Sequence, residues 1–176
     1  MSSRRSALAS RLGLVRKHLP FAMLALVVAL TGCPAEENGA GACKEYLPPA
    51  SFDATTPTVS FSKDVMTIFG QSCAFSTCHG SNIGAANGVF LGRDAPRVYA
   101  AIVGVKGDEL EAMAFITPGN PRESFLMRKM DATQCLLDAQ CKDGTCGDSM
   151  PKNDESLDVA TRDVVRRWIA QGAMNN

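Results

Sequence analysis

The chain has 176 residues, and its 18 Lys and Arg residues balance its 18 Asp and Glu residues. This neutral composition, with 45% apolar residues, excludes a disordered acidic tail, a histone-like basic protein and a protein with several membrane spans. The sequence also contains seven cysteines and two histidines. Because seven is an odd number, at least one cysteine cannot form a disulfide within the chain.

The N-terminal segment, residues 1–32, has the pattern of a secretory signal peptide. It contains five basic residues and no acid, and an apolar stretch that is short for a membrane span follows from Leu19. The segment ends Leu30-Thr31-Gly32-Cys33, which resembles the lipobox of bacterial lipoproteins. The resemblance implies that Cys33 is lipidated, and that the protein is an exported lipoprotein facing the periplasm or held at the outer membrane.

Removal of residues 1–32 changes the charge of the remaining chain. Five of the 18 basic residues leave, so 13 remain against 18 acidic residues, a net charge of about −5. Nothing in this part has the pattern of a nucleic-acid-binding surface. Residues 33–57 are rich in Pro, Gly, Ala and Glu and lack apolar periodicity, which predicts a flexible tether after the lipidated Cys33. Cys43 within this segment indicates that the far end of the tether is joined to the domain by a disulfide.

Residues 58–176 form the predicted domain, in which four helical patterns follow one another. Each pattern combines a capping residue with apolar residues at helical spacing. The caps are, in chain order, Ser62, Asp94, Asn120 and Asp158. The last helix ends near Gln171, and Gly172 follows as a C-terminal cap. Strand signals are scarce, so the sequence predicts an all-α domain with long loops.

The chemistry of the domain is indicated by residues 73–80, Cys-Ala-Phe-Ser-Thr-Cys-His-Gly, which we call the attachment segment. Two cysteines followed directly by a histidine resemble the attachment motif of c-type haem. In that motif the two thiols form thioethers with the haem vinyl groups, and the histidine is the proximal iron ligand. Four residues separate Cys73 from Cys78, whereas the usual spacing is about two, so the segment must bulge. No proline follows His79 closely, so the sequence does not identify the carbonyl that accepts a hydrogen bond from its ring.

The histidine count limits the second axial ligand. His18 lies in the signal peptide, so His79 is the only histidine of the remaining chain, and a second histidine ligand within it is excluded. A methionine is the natural alternative, and Met150 has the most informative context because Pro151 and the last predicted helix follow it. Met127, Met130 and Trp168 are predicted to line the core.

Residues 60–176 resemble small c-type cytochrome domains, including those in envelope proteins of planctomycetes and myxobacteria. The shared features are the first helix, the Cys-His pair, the Gly88–Leu91 segment with Arg93, the Met-Pro dipeptide, and a last helix that carries Arg167-Trp168-Ile169 before Gly172-Ala173.

This resemblance implies one covalent haem c, held by Cys73 and Cys78, with His79 as proximal and Met150 as distal ligand. Because both axial positions are then filled, it also implies an electron carrier rather than an enzyme. Such a carrier would exchange electrons with redox partners in the cell envelope and contact the membrane through its lipid anchor.

An insertion near residues 131–148 interrupts the resemblance and holds three cysteines. If Cys33 carries the lipid and Cys73 and Cys78 carry the haem, four cysteines remain to form two disulfides. They are Cys43, Cys135, Cys141 and Cys146. Four cysteines allow three connectivities, and the sequence does not choose among them. Because the insertion directly precedes Met150, we expect the disulfides to hold this predicted ligand in place.

Three other interpretations stay open at the level of sequence. In the first, Cys73 and Cys78 form a disulfide, and the protein is a haem-free lipoprotein with three disulfides that acts as a structural or binding module. In the second, Cys73, Cys78, His79 and a further cysteine bind zinc. In the third, Met150 is not a ligand and the protein is a haem enzyme or a sensor.

Overall fold

The computed structural model describes residues 43–152 and 154–176, so the predicted signal peptide and the lipidated Cys33 lie outside the described residues. The helices are a π-helical turn, Phe61–Val65, that continues into α1, Met66–Ser72, and then α2, Ala95–Ile102, α3, Phe125–Met130, and α4, Val159–Ala170. Short 3-10 turns occupy Ala86–Gly88, Pro121–Glu123 and Gln134–Gln140. Two strands, β1, Lys106–Gly107, and β2, Leu110–Ala114, pair antiparallel. No helix among the described residues is long and apolar enough to span a membrane.

The prediction of an all-α domain is wrong, because the fold is mixed: about 38% of it is helical, and β1 and β2 form a small sheet. The sequence of β2, Leu-Glu-Ala-Met-Ala, consists of residues that favour helix in isolation. In the structure Leu110 pairs with Gly107 and is only 1% exposed. Burial of this side chain and pairing with β1 therefore override the local helix propensity.

Capping chemistry sets the ends of α2 and α4 as predicted. Asp94 and Asp158 accept hydrogen bonds from the backbone N–H groups of Arg97 and Thr161, respectively. At the other end of α4, Gly172 has a φ of +98°, a left-handed conformation that suits a glycine.

The two other predicted helices differ from the structure at their first turns. Ser60 rather than Ser62 caps the first helical segment. Asn120 caps only the short turn Pro121–Glu123, and α3 starts separately at Phe125. Capping residues in the sequence therefore mark where a helical turn begins, but do not fix how far it continues.

The main apolar core lies between α1, α2, α3 and α4. Phe61 stacks on Trp168 with ring centroids 5.0 Å apart, and Tyr99 meets Phe61 edge-on at 5.4 Å. Trp168, Met127 and Met130 are buried in this core, as predicted. The core holds α1 in place, and the attachment segment leaves from the end of that helix.

A second, smaller apolar cluster lies beside β2. It contains Leu110, Phe125 and the two cysteines of the Cys141–Cys146 disulfide. The backbone N–H of Lys142 also donates to the Glu109 carbonyl at 2.9 Å. The hairpin that the sequence did not predict therefore supports the insertion that carries this disulfide.

Residues 43–57 pack on the domain instead of forming part of a free tether. Glu45 makes ion pairs with Arg122 at 3.1 Å and with Arg128 at 2.8 Å. The Arg167 side chain donates to the Asp53 carbonyl at 2.7 Å. These contacts join residues 43–57 to the domain, as expected for the far end of the tether, and residues 33–42 lie outside the described ranges. Ion pairs and a disulfide hold this segment, which explains why it lacks apolar periodicity.

Candidate functional site

The attachment segment begins where α1 ends. The backbone N–H of Cys73 donates to the carbonyl four residues earlier at 2.8 Å, and the N–H groups of Cys78 and Gly80 both donate to the Phe75 carbonyl at 2.9 Å. The N–H of His79 returns to the Cys73 carbonyl at 3.3 Å. These backbone hydrogen bonds close the bulge that the cysteine spacing predicts, and they place both thiols and the imidazole on one compact loop.

Gly80 is required by the tightness of this loop. A Cβ at position 80 would collide with the carbonyl group of Ala74, which is backbone and cannot rotate away. The glycine that follows the Cys-His pair in the sequence therefore has a steric reason within the attachment segment.

The disulfide pattern separates the described cysteines into two groups. Cys43 bonds to Cys135 and Cys141 bonds to Cys146, whereas Cys73 and Cys78 are free. The two predicted disulfides are thus confirmed, and one of the three possible connectivities is selected. The third disulfide of the haem-free alternative is not formed.

The same disulfide pattern argues against the zinc interpretation, because it leaves no further free cysteine among the described residues to act as the fourth ligand. Within residues 43–152 and 154–176, all cysteines other than Cys73 and Cys78 are in disulfides. No group of three or more His, Cys, Asp or Glu side chains in this part of the chain is placed to hold a metal ion.

Cys73 packs against the main core, which changes its acidity. Burial raises the pKa of its thiol to about 11, and the neighbouring Cys78 adds to the increase. In the haem-free chain this thiol is therefore protonated at neutral pH and is a poor nucleophile.

A backbone carbonyl orients the ring of His79. Its Nδ1 lies 2.9 Å from the carbonyl oxygen of Val89. Because a carbonyl only accepts, Nδ1 carries the proton, and the lone pair of the neutral ring is on Nε2. Nε2 makes no hydrogen bond to any described residue. A histidine whose Nδ1–H is held by a carbonyl while Nε2 is available has the arrangement found in metal-ligating histidines.

The carbonyl that orients His79 belongs to a segment that is anchored in the core. Phe90 and Leu91, which follow Val89, are 7% and 2% exposed. The N–H of Leu91 also donates to the His79 carbonyl at 2.8 Å. Both the backbone and the ring of His79 are therefore tied to this segment. The sequence does not identify Val89 as the partner, although the extended apolar pattern of residues 88–91 was the signal that could have done so.

Met150 lies in residues 146–150, which we call the Met150 loop, and is half-buried. Its side chain packs on neither apolar cluster of the described chain. Four other methionines do pack on them, and Met174 is 59% exposed; the four are Met66, Met113, Met127 and Met130. Met150 therefore does not serve as a core-filling residue. The contacts of the described residues do not join it to the attachment segment.

Two buried polar side chains next to the Met150 loop were missed by sequence reasoning. Lys129 is 8% exposed and donates to the carbonyls of Cys146 and Asp148. Gln134 is 6% exposed and donates to the Gly147 carbonyl at 3.1 Å. Burial lowers the pKa of Lys129, although nearby acids oppose this. A lysine within the largely apolar run Phe-Leu-Met-Arg-Lys-Met was the available signal.

Two surface grooves lie away from these residues. One, of about 430 Å³, lies between α1 and α4 and includes Thr67, Ile68 and Val164. The other, of about 250 Å³, includes Trp168 and Gln171. Neither groove is lined by Cys73, Cys78, His79 or Met150, so neither contributes to the candidate site.

Comparison of the chain with models of protein families, with curated proteins and with solved structures found no match.

Proposed function

We propose that this protein is a membrane-anchored c-type cytochrome that carries one haem and transfers electrons in the cell envelope. The observation that carries the proposal is the state of the attachment segment. Cys73 and Cys78 are free while the other described cysteines form disulfides, and His79 directs its Nδ1–H to a carbonyl and leaves Nε2 available. Two free thiols beside an oriented imidazole fit the donor set that covalent haem requires.

Each of these residues has a defined role in the proposal. Cys73 and Cys78 would hold the haem through thioether bonds, and His79 would ligate its iron through Nε2. The Val89 carbonyl would fix the orientation and tautomer of the imidazole. Met150, which packs on neither apolar cluster, would supply the second iron ligand from the protein. When bound, haem supplies an iron that accepts and releases one electron.

The ligand set favours electron transfer over catalysis. If His79 and Met150 both ligate, the iron has no open position for a substrate. Methionine ligation together with burial favours a relatively positive reduction potential. The partners are therefore expected to be redox proteins of the envelope rather than small-molecule substrates.

Denaturing electrophoresis followed by a haem stain tests the proposal. The wild-type chain, expressed together with a c-type haem maturation apparatus, should keep the stain after denaturation, because thioether bonds survive it. The C73S/C78S double variant should lose the stain. The C141S/C146S double variant is the matched control, because it also removes two cysteines but leaves the attachment segment intact. An unstained wild-type chain would favour the haem-free structural or binding module.

The membrane anchor is a separate part of the proposal, supported by the sequence Leu30-Thr31-Gly32-Cys33. Wild-type protein should be found in the membrane fraction of a lipoprotein-processing bacterium, whereas C33A should be soluble because it has no thiol to acylate. Recovery of the wild-type protein in the soluble fraction would refute the anchor and leave the haem proposal unaffected.

A further inference from the structure

We propose that Lys129 is the positioning residue of the Met150 loop, and that it keeps Met150 in place as the second ligand of the haem iron. This inference rests on the proposed function. It assigns a role to a buried cation that the resemblance to c-type cytochromes did not identify.

Lys129 contacts the Met150 loop at both of its ends. The Nζ of Lys129 donates to the carbonyl of Cys146 and, at 3.1 Å, to the carbonyl of Asp148. The backbone carbonyl of Lys129 accepts the N–H of Met150 at 2.9 Å. One residue of α3 therefore makes three hydrogen bonds to a loop of five residues, and the last of them fixes the residue that carries the thioether.

The ammonium group of Lys129 depends on the loop as much as the loop depends on it. A lysine that is only 8% exposed is rare unless it is paired. Among the described residues no carboxylate lies within ion-pair distance of its Nζ. Its direct contacts are the loop carbonyls and the ring of Phe125, whose centroid lies 5.2 Å away, and the charges of Glu109, Asp138 and Asp148 lie farther off. Displacement of the loop would leave a buried charge without hydrogen-bond acceptors, which is strongly unfavourable. The loop is therefore confined to the position that satisfies Lys129.

Neighbouring groups complete the set of contacts. The Gln134 amide donates to the Gly147 carbonyl at 3.1 Å, and an Asp138 carboxylate oxygen accepts the N–H of Cys146 at 2.7 Å. Three successive carbonyls, those of residues 146, 147 and 148, are thus bonded to buried side chains of the preceding chain. Gly147 has a φ of +66°, which is the turn that allows this alignment.

A purely structural role for Lys129 makes a different prediction from a positioning role. Arg166 is the matched comparison, because it is also a buried cation, 4% exposed, and its partners are Asp131 and Asp163 rather than the Met150 loop. If Lys129 only stabilises the fold, Lys129→Met and Arg166→Met should act alike. If Lys129 positions the loop, only Lys129→Met should speed amide exchange at Met150 and weaken the bond between Met150 and the iron.

The experiment compares the wild type, K129M and R166M in two measurements. Hydrogen exchange of the peptide that contains residues 146–152 needs no haem; in K129M the Met150 amide should exchange about tenfold faster or more, because hydrogen bonds to a charged group are lost. In the haem-loaded protein, ferric K129M should lose the weak red absorption band of an iron–methionine bond, and ferrous K129M should bind carbon monoxide. R166M should show neither change.

The outcomes separate the two proposals. Unchanged exchange in K129M, or equal changes in K129M and R166M, would overturn the role of Lys129 in holding the loop. Faster exchange in K129M with an intact iron–methionine band would overturn its role in ligation. A wild-type chain without covalent haem would overturn the proposed function and the ligation role with it, while the exchange measurement would still report on the loop.

Discussion

The two segments that are proposed to bind the haem iron are held in opposite ways. The attachment segment is shaped by hydrogen bonds to backbone groups, within itself and to Val89 and Leu91, and its thiols and the Nε2 of His79 are left free. The Met150 loop is held from outside, by the buried side chains of Lys129 and Gln134 and by the Cys141–Cys146 disulfide at its start.

The proposed function accounts for this difference. Cysteines that must react with a cofactor cannot be consumed by cross-links, so the loop that carries them has to be shaped by its backbone. The sulfur of Met150 would ligate iron without needing a free thiol, so its loop can be locked by a disulfide and a buried charge. The following variants test this contrast, from the largest expected effect on stability to the smallest.

Removal of the Cys43–Cys135 disulfide should have the largest effect on stability. The Cys43–Cys135 disulfide closes a loop with a sequence separation of 92, whereas the Cys141–Cys146 disulfide has a separation of 5. The chain-entropy relation then predicts that C43A/C135A lowers the free energy of unfolding by about 4.5 kcal/mol, and C141A/C146A by about 2 kcal/mol. Urea unfolding of the two double variants measures both values. Equal losses, or the reverse order, would contradict the view that the long disulfide mainly restrains the unfolded chain.

Asp131, at the start of the insertion, anchors two buried arginines. Its carboxylate pairs with Arg162 and, at 2.9 Å, with Arg166. Asp131→Asn should lower the free energy of unfolding by about 3 to 4 kcal/mol, because buried Arg162 loses its carboxylate partner and buried Arg166 keeps only Asp163. Glu45→Gln is the control, since Glu45 also pairs with two arginines but at the surface, and it should lower stability by less than about 1 kcal/mol. Urea unfolding measures the free energy of unfolding of both variants. Similar losses would refute the view that Asp131 is in a buried ion-pair site and Glu45 in a surface one.

Glycine substitutions test the backbone shaping of the attachment segment. Gly80→Ala should lower stability by about 2 kcal/mol and reduce covalent haem loading, because the new Cβ collides with the Ala74 carbonyl group. Gly70→Ala, in α1 and with open space around it, should raise stability by about 0.5 to 1 kcal/mol. Thermal unfolding and the haem absorbance per chain measure both effects. Normal haem loading in Gly80→Ala would show that the tight loop is not needed for attachment.

Met150→Ala should have the smallest effect on the free energy of unfolding. It should have a large effect on the reduction potential and on ligand binding by the iron. Because Met150 packs on neither apolar cluster, the free energy of unfolding should fall by less than about 1 kcal/mol, well below the loss for a core methionine. The reduction potential should fall, and the ferrous protein should bind carbon monoxide, since an axial position opens. Met174→Ala, at an exposed methionine, should change neither property. An unchanged spectrum in Met150→Ala would refute Met150 as a ligand.

The parts of the fold that follow from local chemistry could be predicted from the sequence. Asp94 and Asp158 cap their helices as expected because an N-cap depends on residues within one turn. The pairing of Cys43, Cys135, Cys141 and Cys146 in two disulfides also agrees with the prediction, because the Cys-His pair sets Cys73 and Cys78 apart.

The parts that depend on distant contacts could not be predicted. Strand β2 has a helix-favouring sequence and is extended because of its partner β1 and the burial of Leu110. The Val89 carbonyl is one backbone group among many until the fold brings it to His79. Lys129 would be expected at the surface by its residue type, and only the path of the Met150 loop explains its burial.

Mass spectrometry of the tryptic peptide of residues 64–93 tests the central claim most directly. This peptide contains Cys73, Cys78 and His79 and no internal Lys or Arg. Protein purified from a host that matures c-type haem is denatured, alkylated without reduction and digested. The account predicts a peptide that carries one haem and no alkyl group, because both thiols are in thioether bonds. A peptide with two alkylated cysteines, or with a Cys73–Cys78 disulfide, would contradict it.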